Sequence, residues 1–409
     1  MRHFLCCLLC VSLLSPLRAQ FAPTGRTIVD TLCTPYFWGR GYTAEGCSHA
    51  AYYLQNQFDF QDIPPLGERY FQEFPITVNT FPKALSLQLG SNTLIPGRDF
   101  QPHAESPSGA AKFKVVYADT NAAQLPRLTA KTALALPKAW ISRFGTRNSV
   151  DSLSAIYPAL IVEAGEKLTW TVGREQLAHP VFEVLSKWFW KAGQVKFKVA
   201  AVVEKDYYCN NVCAMVKGTQ YPDSFLVLTA HYDHLGGMGA KTYIQGANDN
   251  ASGTAMLLTL AYYFKQHPQK YSIVFIAFAG EEAGLVGSKY FIEHPRMELP
   301  KIKFLFNLDL MGTGAEGATV VNATVFREQF ARLKRINDKG MYLPVINERG
   351  EAANSDHYWF TQRGVPSFFM YLQDKNYTAY HNINDRARDL PLTRFDATCK
   401  LIIDFFNSF

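Results

Sequence analysis

The stretch YSIVFIAFAGEE, residues 271–282, carries the pattern that most clearly indicates the type of fold. Its first nine residues are nearly all apolar, which is typical of a strand buried on both faces of a parallel sheet. Gly280 ends this run, and Glu281 and Glu282 follow where a loop should begin. Adjacent carboxylates repel each other, so a buried pair stays ionised at low cost only beside a cation. The alternative is a solvated pair at a loop tip, and the remaining segments decide between the two.

Other segments of the chain have the same pattern as residues 271–282. The helical periodicity of ASGTAMLLTLAYYFKQHP (251–268) predicts a helix, and the apolar runs that predict strands are SFLVLTAHYD (224–233), IKFLFNLDLMG (302–312) and VPSFFMYLQ (365–373). Near-continuous apolar strands that alternate with helices predict an α/β fold, with a mostly parallel mixed sheet sandwiched by helices. Ligands of such sheets bind beyond the carboxyl ends of the strands.

The predicted strand ends and two loops carry side chains that can bind metal ions or transfer protons: His231, Asp233, Asp249, Glu281, Glu282, Asp309, Tyr380 and His381. Each has an ordinary alternative when it is taken alone, such as a helix cap for Asp249 or a surface position for His381. Together they are more informative, because strand ends converge in space. Two imidazoles and three carboxylates suit a pair of borderline divalent ions, with one carboxylate bridging them.

Five segments in this order resemble the metal-site segments of the M28 family of co-catalytic zinc exopeptidases. They are HYDHLGG (231–237), GANDNASG (246–253), GEEAGLVGS (280–288), NLDLMG (307–312) and AYHNINDR (379–386). The resemblance covers about residues 205–405. It implies the zinc exopeptidase fold, described as phosphorylase/hydrolase-like, and two Zn²⁺ ions per chain.

The resemblance also implies a role for each residue of the site. His231 and Asp309 would bind one zinc ion, Glu282 and His381 the other, and Asp249 would bridge both. Glu281 would be the general base, because a base must stand next to the ligands without being captured by metal. Asp233 would orient and polarise His231, and Tyr380 would donate to the oxyanion or simply pack as an aromatic side chain. His357 receives no metal role.

Composition and hydrophobic pattern divide the sequence into three parts with different predicted roles. Residues 1–19 have a basic start, an apolar stretch and a small-residue end, so we predict a signal peptide and a periplasmic or extracellular location. Residues 20–83 and 196–409 form the predicted catalytic domain. Residues 84–195 are short alternating segments punctuated by Gly, Pro and Ser, which predicts an inserted mainly β domain, comparable to a protease-associated domain or lid. We expect this insertion to limit access to short peptides.

Composition excludes several other classes of protein. A net charge of +6 over 409 residues, without long like-charged runs, argues against nucleic acid as a partner. No apolar stretch after residue 19 is long enough for a permanent membrane span. Five cysteines remain after that segment, and two pairings are compatible with an oxidising compartment, Cys33 with Cys47 and Cys209 with Cys213. The latter requires a turn between its cysteines, since a strand would hold them too far apart; Cys399 is left over.

The function that these features predict is hydrolysis of amino-terminal peptide bonds by a secreted dinuclear zinc metallopeptidase. Peptides are the expected substrates. Three alternatives remain open at this point: a carboxypeptidase using the same site, a glutaminyl cyclase with one zinc ion, and a non-catalytic binding ectodomain on the same scaffold. The full ligand set favours two metal ions over one, and the presence of Glu281 favours catalysis.

Overall fold

The structure is a computed structural model that describes residues 20–119, 125–144, 147–190 and 193–409. The predicted signal peptide lies outside the described residues. In chain order the strands are β1 (Phe71–Thr80), β2 (Leu85–Leu89), β3 (Asn92–Leu94), β4 (Phe100–Pro102), β5 (Gly109–Tyr117), β6 (Thr132–Leu136), β7 (Leu160–Gly165), β8 (Val181–Leu185), β9 (Gln194–Val199), β10 (Val202–Val216), β11 (Tyr221–His231), β12 (Gly236–Met238), β13 (Thr242–Ile244), β14 (Tyr271–Phe278), β15 (Ile302–Leu308), β16 (Gly317–Val321), β17 (Ile346–Glu348) and β18 (Ser367–Gln373).

The helices alternate with these strands in the second half of the chain. They are α1 (Ala22–Leu32), α2 (Gly46–Phe60), α3 (Lys138–Phe144), α4 (Arg147–Ser154), α5 (Ser186–Phe189), α6 (Gly253–Gln266), α7 (Val286–Glu293), α8 (Arg327–Gly340), α9 (His357–Thr361) and α10 (Phe395–Asn407). In the described residues, no helix is long and apolar enough to cross a membrane.

The main sheet has the strand order β1-β10-β14-β11-β15-β18-β16-β17. Its four central strands, β14, β11, β15 and β18, are parallel to one another. Antiparallel pairs join β10 to β14 and β16 to β18 on either side of them. The predicted α/β fold with a mixed sheet is therefore confirmed, and the parallel part is the part that carries the candidate site.

Helices cover both faces of this sheet, which explains why its central strands are apolar throughout. Every residue of β14 after Tyr271 is buried. The core on one face includes side chains of α1, α2, α6, α8 and α10. The core on the other face includes Phe291 of α7 and Phe360 of α9. At about 25 cal/mol per Å² of apolar surface, burial on both faces favours this arrangement strongly.

A second sheet, with the order β3-β2-β9-β5-β6-β7-β8-β4, takes its strands from residues 85–199. Its strands β5, β6, β7 and β8 pair in parallel, and the same segment contains α3, α4 and α5. Its core extends to Leu235, Met238 and Ile244, which lie in the segment after β11. We retain the division into a catalytic domain and an insertion at 84–195 as a proposal, and this sheet supports it.

The five cysteines of the described chain are buried and free. The possible bond between Cys209 and Cys213 is not formed, because both residues lie in the continuous strand β10 instead of flanking a turn. They also belong to cores on opposite faces of the main sheet. The possible bond between Cys33 and Cys47 is not formed either.

Candidate metal centre and active site

The metal-binding side chains meet at the carboxyl edge of the parallel strands. His231 is the last residue of β11, Asp309 follows the end of β15, and Glu281 and Glu282 follow the end of β14. Gly280 makes the turn out of β14 with a φ of 68°, a left-handed conformation that favours glycine. Because the three strands are parallel neighbours, their ends bring these residues together from three separate parts of the chain.

Asp249 lies at the centre of the cluster, in a wide helical turn over Ala247–Ser252 that leads into α6. Its Oδ1 is 3.4 Å from Nε2 of His231, and its Oδ2 is 3.0 Å from Nε2 of His381. On the first side, Asp309 Oδ1 is 3.3 Å from His231 Nε2. On the other side, Glu282 Oε2 is 3.3 Å from His381 Nε2. The carboxylate of Asp249 therefore joins two groups, each with one imidazole and one further carboxylate.

Close packing fixes the turn that carries Asp249. The backbone amides of Asn248 and Asp249 donate to the carboxylate of Asp385, at 2.8 and 3.0 Å. The side chain of Asn250 donates to the carbonyl of Leu308 at 2.9 Å. A Cβ on Gly253 would lie 2.4 Å from that same carbonyl oxygen, so only glycine allows α6 to approach β15 this closely.

The imidazoles are oriented so that each presents Nε2 to the carboxylates. His231 Nδ1 lies 3.2 Å from the main-chain oxygen of Asp233, and His381 Nδ1 lies 2.9 Å from the main-chain oxygen of Trp170. A carbonyl oxygen can only accept a hydrogen bond, so Nδ1 carries the proton in both rings. The Nε2 lone pairs of the neutral rings then point at carboxylate oxygens, an arrangement that needs a proton or a cation between them.

The pKa shifts of the two histidines also indicate that the carboxylates of the cluster favour positive charge beside them. Burial opposes a charged His231, but the carboxylates of Glu281 and Asp309 outweigh it and raise the pKa of His231 well above its ordinary value. Burial opposes a charged His381 too, yet Glu282 and Asp249 raise its pKa to about 9. The carboxylates around the two histidines therefore favour a positive charge at each imidazole, which a bound cation would supply.

The pKa values of two acids in the cluster, Glu281 and Asp309, are raised as well. Burial raises the pKa of Glu281 well above its usual range; His231 opposes this shift and Glu282 adds to it. Burial likewise raises the pKa of Asp309. Asp309 Oδ1 is buried and receives no hydrogen bond. In the described residues, no lysine or arginine forms an ion pair with these acids.

The donor set therefore fits zinc, which binds imidazole nitrogen and carboxylate oxygen. Two sets of three side chains bring ligand atoms within 4.8 Å of one another: His231, Glu281 and Asp309, and His234, Asp249 and Glu282. The first set contains Glu281 in place of the predicted ligand Asp249. The second set contains His234 in place of the predicted ligand His381. Because Asp249 presents separate oxygens to His231 and His381, we favour the predicted assignment.

Asp233 connects several parts of the site. The hydroxyl of Tyr42 donates to its Oδ2 at 2.6 Å. The amides of Glu281 and Glu282 approach its two oxygens at 3.2 and 3.3 Å. Its Oδ1 is 3.8 Å from His231 Nδ1, farther than the main-chain oxygen that the ring faces. Asp233 thus fixes the loop after β14 by direct hydrogen bonds as well as lying beside His231.

Two buried residues that the sequence analysis did not assign to the site also shape it. His234 is fully buried and its Nδ1 is 2.7 Å from Glu282 Oε1; its position three residues after His231 was the available signal. Arg40 is fully buried as well. Its guanidinium donates to the main-chain oxygen of Tyr232, directly after β11, and to that of Gly246, directly before the turn that carries Asp249. Both distances are 2.7 Å.

Asp309 is held by a chain of hydrogen bonds that starts on β11. Thr229 donates to Asn307, Asn307 donates to Ser355, and Ser355 donates to Asp309 Oδ2 at 3.1 Å. Asp356 is fully buried beside this chain, and burial raises its pKa to about 7. His357 is also fully buried, and burial lowers its pKa to about 3.

A cavity of about 140 Å³ opens above the cluster. Tyr380 stacks on His381 with the ring centroids 3.9 Å apart, and its side chain faces this cavity while remaining 45% exposed. The residues that line the cavity are His231, Asp249, Glu281, Asp309, Leu310, Arg349, Asn354, Phe369, Tyr371, Tyr380 and His381. Such a site can hold a small polar substrate against a metal-binding floor.

Comparisons with known proteins agree with this geometry. Residues 211–406 match the model of Peptidase family M28. Aminopeptidase YwaD of Bacillus subtilis is 40% identical over 160 residues, which are 37% of this chain and 32% of that protein. A probable zinc metalloprotease of Pyricularia oryzae is 36% identical over 123 residues, or 29% of this chain and 24% of that protein. The chain thus spans about a quarter to a third of the length of these relatives.

Solved structures share the fold over nearly the whole chain. The zinc aminopeptidase BSAP from Bacillus subtilis superposes with a TM-score of 0.69 over 94% of each chain, at 17% identity. An aminopeptidase from an Aneurinibacillus strain superposes with a TM-score of 0.66, over 95% of this chain and 93% of that one, at 18% identity. At this level of identity the likeness establishes the fold.

Proposed function

We propose that the protein is a dinuclear zinc aminopeptidase of peptidase family M28, whose model matches residues 211–406. The observation that carries this proposal is the position of Asp249, whose two oxygens face His231 on one side and His381 on the other. The similarity to an aminopeptidase and to a probable zinc metalloprotease supports the reaction class.

We assign His231, Asp249 and Asp309 to one zinc ion and Asp249, Glu282 and His381 to the other. The chemistry that two zinc ions supply when bound is polarisation of a carbonyl group and a lowered pKa of a bound water. The main-chain oxygens of Asp233 and Trp170, which face Nδ1 of His231 and His381, would keep Nε2 of each ring directed toward the metal-binding position.

Glu281 is the proposed general base. It lines the cavity next to His231 and Asp309, and the ligand role falls to its neighbour Glu282. Its carboxylate accepts the proton of the attacking water as the new C–O bond forms. It then gives that proton to the leaving amine as the C–N bond breaks. Tyr380 lines the same cavity, and its hydroxyl is the proposed donor to the developing oxyanion.

Two further parts of the proposal concern location and access. The sequence pattern of residues 1–19 supports export to the periplasm or the extracellular space. The contact of Trp170 with His381 supports a role for the insertion at 84–195 in closing the site to all but short peptides. Removing the insertion without changing the preference for peptides over folded proteins would contradict that role.

The experiment that tests the proposed reaction uses one pentapeptide in three forms, with both termini free, with an acetylated amino terminus, and with an amidated carboxyl terminus. Zinc-loaded protein should release the amino-terminal residue from the first and third forms. Acetylation should slow release by at least about a thousandfold, because the site is expected to bind the free amine.

Each alternative function has its own outcome in this experiment. Loss of activity on amidation, with release of the carboxyl-terminal residue, would identify a carboxypeptidase. A peptide that begins with glutamine tests the cyclase alternative, which would close that residue without releasing it, at one zinc ion per chain. Absence of turnover with full zinc occupancy would favour a binding ectodomain.

A further inference from the structure

The cavity above the metal-ligand cluster contains a cation that the proposed mechanism does not use. Arg349 follows β17 and lines the cavity together with Asn354. Its backbone amide donates to the carbonyl of Val320 at 2.9 Å, so the strand pairing of β16 with β17 continues to this residue. The arginine is therefore presented from the edge of the main sheet.

Arg349 is an exposed residue that lines the cavity. In the described part of the chain, no carboxylate forms an ion pair with it. Burial lowers the pKa of His357, and the positive charge of Arg349 adds to this effect. The acids that line the cavity, Asp249, Glu281 and Asp309, are instead clustered around His231. Arg349 is thus left with its charge facing the space that substrate would occupy.

Four of the residues that line the cavity, Leu310, Phe369, Tyr371 and Tyr380, are apolar or aromatic and form its wall. A substrate group that passes along this wall would need an apolar stem, and its end would meet a guanidinium and the amide of Asn354. Guanidinium binds carboxylates in a bidentate geometry with charge-assisted hydrogen bonds. The chemistry of the wall and its end therefore matches a short alkyl carboxylate.

We propose that Arg349 binds a carboxylate of the substrate and so selects peptides that carry this group close to the scissile bond. The inference rests on the proposed peptidase function and specifies its substrate class. The carboxylate has two sources: the side chain of an acidic amino-terminal residue, or the terminal carboxylate of a dipeptide. Both place the same group within reach of the cavity.

The test compares matched substrates in the zinc-loaded full-length protein. The side-chain source is measured by the ratio of kcat/KM for the 4-nitroanilides of glutamate and glutamine, which differ by one charge. The terminal source is measured by the ratio for alanyl-alanine and its amide. Each ratio is determined for the wild type, for Arg349→Met, and for Arg363→Met, an exposed arginine outside the cavity.

We expect one of the two ratios to favour the carboxylate by about tenfold or more in the wild type, as a charge-assisted hydrogen bond allows. Arg349→Met should bring that ratio to within about twofold of one, whereas Arg363→Met should leave it unchanged. The ratio should also fall with added salt, because the guanidinium is exposed. Ratios near one in the wild type, or ratios unaffected by Arg349→Met, would overturn the proposal.

Binding measurements separate this inference from the proposed function. Zinc-loaded protein is titrated in a calorimeter with glutamate and glutamine, and with alanyl-alanine and its amide, using Glu281→Gln for the dipeptides. If no substrate is cleaved, the peptidase proposal fails, but tighter binding of the carboxylate that is lost in Arg349→Met would still support the role of Arg349. Equal binding of the acid and its amide in both proteins would refute it.

Discussion

The two histidines of the candidate zinc centre are supported by different regions of the molecule. His231 ends β11, and the loop immediately after that strand provides the carbonyl of Asp233 that faces its ring. His381 instead faces the carbonyl of Trp170, and the amide of Trp170 donates back to the carbonyl of His381 at 2.9 Å. One half of the centre is thus built within the main sheet, and the other depends on the segment between β1 and β10.

Because of this difference, substitutions near the two histidines should affect folding and metal binding to different extents. The support of His231 is tied to the sheet core, so damage there should affect the fold and both metal positions. The support of His381 comes from the segment that contributes the second sheet, so damage there should affect one metal position and spare the main sheet. Substitutions on each side can separate the two kinds of support.

Asp233→Ala should have the largest effect. The substitution removes the acceptor of the Tyr42 hydroxyl and of the amides of Glu281 and Glu282. Each buried donor left without a partner costs about 1–3 kcal/mol. We expect a loss of about 3 kcal/mol or more in the free energy of unfolding, measured with urea, and loss of both zinc ions. A variant with wild-type stability and two ions would contradict the role of Asp233 in the core.

Trp170→Ala should weaken only the His381 half. The indole is 6% exposed, and its nitrogen donates to the carbonyl of Pro102 at 3.0 Å, which fixes the loop that contacts His381. We expect about one zinc ion per chain instead of two, measured by atomic absorption, because displacing this support should cost about 10–100-fold in affinity. Trp190→Ala, at a position 55% exposed in the same segment between β1 and β10, is the control and should keep both ions.

His234→Gln should sharpen the ligand assignment within the same half. Because His234 donates to Glu282, its loss should lower the affinity of that position by about 10–100-fold while both ions still bind at saturating zinc. His381→Ala should retain one ion under the same conditions. If His234→Gln loses one ion and His381→Ala keeps two, His234 is the ligand and our assignment is wrong.

Asp356→Asn should have the smallest effect, and it is visible in the pH dependence of stability. Burial raises the pKa of Asp356 to about 7, so the folded metal-free protein keeps a proton that the unfolded chain releases near pH 4. The stabilisation from that proton is present at low pH and is lost as pH rises toward 7. Relative to the wild type, Asp356→Asn should therefore gain more than about 1 kcal/mol between pH 4 and pH 8.

Chemical denaturation of the chelated proteins at several pH values measures this difference. Comparing the two proteins cancels the titration of the other groups in the cluster to a first approximation. A constant difference across the range would show that Asp356 does not hold the proton.

The main sheet could be predicted because its strands are long apolar runs. The residues at the strand ends, such as His231 and Asp309, could be identified because parallel strands bring their carboxyl ends together. The paired glutamates of the stretch 271–282 belong to this part: they lie in the cluster and not at a solvated loop tip. Their separate roles as ligand and base remain a proposal.

The supports of the site could not be predicted in the same way. Arg40 reaches Gly246 across 206 positions, and Trp170 reaches His381 across 211. Both contacts involve main-chain oxygens, which every residue type provides, so the sequence carries no signal for them. Similarly, Cys209 and Cys213 lie in one continuous strand because β10 pairs with both β1 and β14. These pairings are long-range contacts, so the local sequence does not reveal them.

In the proposed mechanism Glu281 moves the proton, while Glu282 and its partners hold the metal. Glu281→Gln, an isosteric change, separates these roles when zinc content and turnover of a peptide with a free amino terminus are measured on the same preparation. We expect two zinc ions per chain and a kcat reduced by about a hundredfold or more. Full activity, or loss of a zinc ion together with activity, would contradict the division of roles between the two glutamates.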